Sequence, residues 1–368
     1  MKCEYFGKCG SCTLFELPYE EQLKKKSNYI KDEFKEFYTD KMELFSSSDG
    51  HFRNRAEFRI WHEGDELFYA MNGFSKKSIV KIERCQIVEE NIYSTMPKLI
   101  EYIKKSDTLR QKLFAVEFMS ANEMLVTLIY HKKIDESWLK EAKKLEQKLN
   151  LMVIGRSRGV KIVSQRDFIY QDLKVNSKTY RYKVYENSFL QPNTKVNVKM
   201  IGWAKNNSKD FGGDLVELYC GHGNFTIPLS ENFDKVLATE ISKKSISSAK
   251  ENCELNGVNH IFFARLSAEE FTQALHKERE FRRLKGVDLD NYNFSTIFID
   301  PPRAGVDTKT LSLVSEFEHI IYISCNPKTL KRDLSKLCKT HYIEKFAIFD
   351  QFAYTEHLEC GAVLKKIP

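Results

Sequence analysis

Two short stretches of this 368-residue chain put reactive side chains just past what read as strand ends. One is Ser324-Cys325-Asn326-Pro327. Ile320–Ser324 reads as a strand and Lys328–Leu337 as a helix, so Cys325 is expected in the positive field of a helix N-terminus. That field, with Lys328, Lys331 and Arg332 nearby, is expected to lower the thiol pKa and arm Cys325 as a nucleophile. Taken alone, a free cysteine is more often a small buried hydrophobe. The other stretch is Asp300-Pro301-Pro302-Arg303, after the strand Thr296–Ile299. Two prolines stiffen the backbone where ligands bind in open α/β sheets, and they hold a carboxylate and a guanidinium there.

A third stretch reads as a cofactor site. Strand Leu215–Tyr219 runs into Cys220-Gly221-His222-Gly223-Asn224-Phe225. Two glycines allow a tight turn and close approach of backbone to a ligand, but the third glycine of a dinucleotide fingerprint is missing. The next strand ends in Glu240, at the spacing where an acidic side chain accepts from ribose hydroxyls. No phosphate-binding loop pattern is present, so a nucleoside cofactor is expected rather than a nucleotide triphosphate.

These motifs require a scaffold. From about residue 210, apolar strands alternate with helical patterns: Gly213–Tyr219, Lys235–Thr239, His260–Ala264, Thr296–Ile299 and Ile320–Ser324. That alternation predicts a parallel, doubly wound α/β sheet. The first half is different. A helix is expected from Pro18 to about Phe37, with Tyr19, Leu23, Ile30, Phe34 and Phe37 as its apolar face. Strands are expected at Arg53–Trp61, Leu67–Met71, Phe114–Met119 and Met124–Tyr130, and helices at Glu90–Lys104 and Glu136–Leu149. This makes a mixed α+β half with antiparallel strands. The division is set at residues 1–180 and 181–368, in keeping with a length that suggests two domains.

Composition excludes several classes. Hydrophobic residues at 42% and charged residues at 30% indicate a globular chain, and no apolar run is long enough to span a membrane. The stub MKCEYFGKCGSC lacks the apolar region of a secretory signal, and nine cysteines, an odd number, argue against a disulfide framework. A cytoplasmic location is expected. The net charge of +7 suits a polyanionic partner without demanding one. Period-two reading of His51–Trp61 puts Arg53, Arg55, Arg59 and Trp61 on one face, a combination suited to phosphate contact and base stacking. Phe114 and His131 are further stacking candidates, and Arg156, Arg158, Lys161 and Arg166 form a second basic group. Cys3, Cys9 and Cys12, spaced C-x5-C-x2-C, could join Cys85 around an iron–sulfur cluster or a zinc ion, or remain reduced thiols.

The segments GHGNFTIPLS, FIDPPRAGVD, YISCNPKTLKRDL and DQFAYTEHLECG resemble the motif set of the RNA uracil-5-methyltransferases. SFLQPNTKVNVKMIGWA resembles the segment preceding their methyltransferase domain, and HFRNRAEFRIWHEGDEL and LIYHKK resemble the bacterial tRNA-modifying branch. The likeness implies a Rossmann-like class I methyltransferase domain behind an N-terminal RNA-binding domain. It implies S-adenosylmethionine as cofactor and carbon 5 of a uridine as methyl acceptor, foremost the T-loop uridine of tRNA. Ribosomal RNA or tmRNA is the nearest alternative, and a non-catalytic RNA-binding protein the alternative of another class. By the same likeness, Cys325 attacks carbon 6 and Glu359 is the base, with Arg303 steadying charge on the ring. Gln191, Tyr219, Asn224, Glu240 and Asp300 contact the cofactor, and Arg59, Phe114 and His131 face the RNA. The N-terminal spacing resembles the cysteines that hold a 4Fe-4S cluster in ribosomal RNA enzymes of this kind.

Overall fold

A computed structural model describes residues 1–75 and 78–368. An eight-stranded sheet carries the motifs. Its order across the sheet is Glu43–Phe45, His341–Phe349, Glu359–Lys366, His319–Ser324, Phe294–Ile299, Asp214–Leu218, Val236–Thr239 and Ile261–Ala264. The five strands expected in the second half are all present and pair in parallel. Strand order reverses between Asp214–Leu218 and Phe294–Ile299, and such a switch point opens a crevice at the strands' C-terminal ends. The strands are buried on both faces, as a helix-covered parallel sheet requires.

Seven strands form the second sheet, in the order Ile79–Ile82, Glu66–Asn72, Arg55–Glu63, Leu113–Ser120, Met124–Tyr130, Met152–Ser157 and Val160–Val163. Helices Glu90–Lys104 and Glu136–Leu149 cover it at the limits expected. One pair departs from the antiparallel expectation: Met124–Tyr130 and Met152–Ser157 run parallel. The helix Glu136–Leu149 lies between them in the chain, and a helical crossover returns the strand in the same direction. A hairpin, Phe168–Val175 and Lys178–Tyr185, contributes Ile169, Tyr180 and Tyr182 to an apolar cluster shared with both sheets.

Sheet membership does not follow chain order. Glu43–Phe45 pairs with Ala347–Phe349, and helix Tyr19–Phe34 packs Ile30 and Phe34 into the core of the eight-stranded sheet. Each of those two side chains contributes roughly 1.5–3 kcal/mol by burial. The helix ends three residues short of Phe37, and Pro18 sits at its cap. Its buried stripe is Gln22, Lys26, Ser27, Ile30 and Phe34, more polar than the apolar face expected from spacing. Among the described residues no helix is long and apolar enough to cross a membrane.

Candidate active site

The crevice is built by three loops at strand ends. Strand His319–Ser324 delivers Cys325, and Asn326 caps helix Pro327–Leu337 through its side chain. Strand Phe294–Ile299 delivers Asp300 and Arg303, and Asn326 Nδ2 donates to the Arg303 carbonyl at 3.0 Å, tying the two loops together. The antiparallel pairing of Ser324 with Cys360 then sets Glu359 beside Cys325. Glu359 is only 4% exposed, and its Oε2 has no hydrogen-bond partner.

The electrostatics correct one expectation. The Cys325 thiol is pushed up to about 11, by burial first and then by Glu359 and Asp300, with Arg303 opposing. A lowered pKa was expected; burial of the thiol, with two carboxyls beside it, turns the shift upward. Of the three expected cations only Lys328 borders the cavity with Cys325: Lys331 pairs with Glu33 and Glu36, and Arg332 with Asp333. Burial drives Glu359 well above the usual carboxylate range, reinforced by Asp300, which burial raises to about 7. A cavity of about 540 Å³ opens at Cys325, walled by Lys26, Tyr29, Arg303, Lys328 and His357 among others. That volume has room for a flipped base together with its sugar and phosphate. Arg303 Nη2 lies 3.0 Å from His357 Nδ1, which steadies the guanidinium at the cavity wall.

A second cavity is bordered by Gln191, Tyr219, Asn224 and Asp300, four of the five expected cofactor contacts. The fifth, Glu240, holds the glycine turn: its carboxylate accepts from Gly221 N at 3.2 Å and from Ser242 N at 2.8 Å. Gly221 borders the cavity at φ +57°, and a Cβ there would meet nothing within 4 Å, so the turn leaves room for a ligand. Tyr219 takes φ +64°, a conformation costly for a non-glycine residue and one that re-aims the chain at the strand end. Acceptors at the turn and amides at Gln191 and Asn224 fit the ribose, base and amino-acid groups of a nucleoside cofactor. Asp300 borders this cavity and also raises the Cys325 thiol, so it stands between the two sites.

The sequence reading missed Glu217 and Gln351. Glu217 is an acid between Val216 and Leu218 in a buried strand, standing at the cavity with its proton affinity raised by that burial. That placement was a usable signal. Gln351 is fully buried and donates to Gln191 Oε1 at 2.8 Å, a contact no local pattern announces.

On the other sheet, Arg59, Phe114 and His131 come together. The Phe114 and His131 rings stack at 4.2 Å, and the Arg59 guanidinium lies 5.9 Å from the Phe114 centroid. Phe114 sits at a register shift between Leu113 and Ala115, where a bulge re-aims the side chain. Trp61 is 43% exposed near the end of the same strand as Arg59. The other two arginines of that expected face turn inward. Arg55 binds Glu117 and the carbonyls of Ser188 and Glu186, and Arg53 is half-buried beside Cys12 and Cys85. The second basic group is largely neutralised: Arg156 pairs with Glu186, Lys161 with Asp167, and Arg166 with Glu123.

Cys3, Cys9, Cys12 and Cys85 border one small cavity. Cys12 is pushed up to about 12 and Cys85 to about 11, by burial first and by the neighbouring thiols next. Among the described residues no three Cys, His, Asp or Glu side chains are grouped as a site for a single metal ion.

The family model for tRNA (Uracil-5-)-methyltransferase matches residues 18–367. Over the full length of both chains, this one is 54% identical to the tRNA/tmRNA (uracil-C(5))-methyltransferase of Aliarcobacter butzleri and 52% identical to that of Sulfurovum sp.. The solved tRNA (uracil-54, C5)-methyltransferase of Pyrococcus abyssi, in complex with S-adenosyl-L-homocysteine, has a similar fold. Its TM-score is 0.71 at 23% identity, covering 97% of this chain and 86% of that one.

Proposed function

The chain belongs to the tRNA (uracil-5-)-methyltransferase family, and from that premise we propose that it methylates carbon 5 of the T-loop uridine of tRNA with S-adenosylmethionine as donor. The observation that carries the reading is Cys325 at a cavity with room for a flipped base, with Glu359 and Asp300 beside it. Relatives named for both tRNA and tmRNA support tmRNA as a second substrate.

Each residue has a part that its chemistry suits. Carbon 5 of uracil is a weak nucleophile. Addition of the Cys325 thiolate to carbon 6 turns the ring into an enolate whose carbon 5 can take a methyl group. Arg303 lies where it can stabilise the enolate oxygen. Gln191, Tyr219, Asn224, Glu240 and Asp300 would hold the cofactor, whose sulfonium would supply the methyl group as an electrophile, its S–CH3 bond breaking to leave the neutral thioether. Glu359 then takes the proton from carbon 5, and the thiolate leaves as the ring double bond re-forms. Burial raises the proton affinity of Glu359, which makes its ionised form the stronger base. The deciding experiment uses T-arm RNA with 5-fluorouridine at the target, where a fluorine replaces the proton to be lost. Wild-type protein with S-adenosylmethionine is expected to form an adduct that survives denaturation. Absence of an adduct would refute the covalent route.

Arg59, with the Phe114–His131 stack, is proposed as the RNA-facing group. Arg59→Ala is expected to weaken RNA binding, to leave cofactor affinity unchanged and to flatten the salt dependence by about one unit of slope, as loss of one phosphate contact does. Unchanged RNA affinity would return Arg59 to the role of a solvated surface residue.

The four N-terminal thiols are proposed as an iron–sulfur ligand set: soft donors crowded around one cavity, with Arg53 beside two of them. Protein purified anaerobically is expected to be brown, with visible absorbance that Cys9→Ser or Cys85→Ser abolishes. Colourless, iron-free protein would leave four reduced thiols and no cluster.

A further inference from the structure

Helix Tyr19–Phe34 buries a charge in a place that needs explaining. Lys26 is 4% exposed, and its ammonium lies 2.6 Å from Asp350 Oδ1, itself 1% exposed. It also donates to the carbonyls of Phe352 and His357, at 3.0 Å each. An ammonium has three N–H donors, and here all three are used within the protein. Lys26 borders the cavity at Cys325, yet it has no proton left to offer an RNA phosphate or a base. The same helix holds the same segment twice more. The Tyr19 hydroxyl donates to Asp350 Oδ2 at 2.8 Å, and Gln22 Oε1 accepts from Tyr354 N at 3.1 Å.

The gripped segment, residues 350–359, reaches every working part of the site. Gln351 hydrogen-bonds Gln191 at the cofactor cavity, His357 meets Arg303, and the segment ends at Glu359 beside Cys325. A buried ion pair is a poor way to gain stability, because desolvation offsets most of the attraction, and apolar residues of similar volume often serve as well. What it gives instead is direction: a charge with three fixed acceptors tolerates one arrangement of the chain around it.

We propose that Lys26, through Asp350 and the carbonyls of Phe352 and His357, is a positioning residue that sets Glu359 and Arg303 over the base bound at Cys325. The proposal rests on the methyltransferase reading above. It makes the N-terminal helix part of the active site, although no side chain of that helix is assigned a chemical step.

The test is the double variant Lys26→Met/Asp350→Leu in the full chain, which exchanges the ion pair for an apolar one of similar size. Its S-adenosylmethionine affinity is expected to stay within about five-fold of wild type, and its melting temperature to fall modestly, because the Phe352 and His357 carbonyls and the Tyr19 hydroxyl lose their partners. Turnover per cofactor-binding site is expected to fall by at least about thirty-fold, and denaturation-stable adduct with ordinary uridine RNA to accumulate, because proton removal by Glu359 lags behind addition. A role in stability alone would leave turnover per site unchanged and no adduct. Tyr19→Phe removes the hydrogen bond to Asp350, together with the one its hydroxyl accepts from Ser47 N, and no charge. It covers the case in which the double variant does not fold, and is expected to show the same adduct with a loss of about three- to ten-fold. Turnover within about two-fold of wild type without adduct, in either folded variant, overturns the proposal. If the wild-type chain itself fails to methylate uridine RNA, the methyltransferase reading has failed and the proposal falls with it, a result distinct from an active wild type whose variants are equally active.

Discussion

Replacement of Cys325 by alanine is expected to abolish methyl transfer, with turnover reduced by at least about 10⁴-fold. S-adenosylmethionine binding should survive within a few-fold, since Cys325 borders the cavity with room for the base and not the one formed by Gln191, Tyr219 and Asn224. The comparison that matters is tritium release from carbon 5, which needs the covalent step, against cofactor binding, which does not. The thiol pKa adds a pH signature. Its value is raised from 9.0 to about 11, so the thiol form predominates across the neutral range. The thiolate fraction, and with it adduct formation with fluorouridine RNA, should therefore rise about tenfold per pH unit through the mildly alkaline range. Residual turnover near wild type would remove Cys325 from the mechanism, and a rate flat between neutral and alkaline pH would mean that bound substrate and cofactor relieve the carboxyl pressure on the thiol.

Glu359→Gln should separate the two halves of the reaction. The amide keeps the size of the side chain and removes the proton acceptor, so addition and methylation proceed while carbon 5 keeps its proton. Steady-state turnover is expected to fall by about 10²–10⁴-fold, the range for loss of a general base. An adduct with ordinary RNA should build up toward one per enzyme and carry the transferred methyl group. Normal turnover in Glu359→Gln would require another proton acceptor. Asp300 is then the candidate, being the other carboxyl that acts on the Cys325 thiol.

Much of the scaffold is legible in short segments. Alternating apolar strands and helices from about residue 210 specify a parallel sheet, and the prolines and glycines after three of its strands mark the loops that carry chemistry. Helix limits at Glu90–Lys104 and Glu136–Leu149 follow from side-chain periodicity with, for the second, an aspartate cap. These are local properties: turn chemistry, capping and period depend on residues a few positions apart. For the same reason, the residue types at Cys325, Asp300, Arg303 and Glu359 could be named, and a resemblance could assign them roles.

What lay beyond local reading was set by register and burial. The pairing of Ser324 with Cys360 places a glutamate beside the thiol, and burial first, then two carboxyls, raise a pKa that a helix terminus alone would lower. Arg55 and Arg53 share a face with Arg59 by period, yet tertiary contacts draw them to Glu117 and to the thiols, leaving Arg59 with Phe114 and His131. Lys26 and Asp350 stand 324 residues apart, and nothing in a helical pattern distinguishes a lysine that will be solvated from one that will be buried against a distant carboxylate. Period and turn chemistry determine which elements form and which residues end them. The field at a thiol, the partner of a buried charge and the face that meets RNA depend on groups the chain brings together only when it closes, because electrostatic energy follows distance and solvent exposure rather than sequence separation.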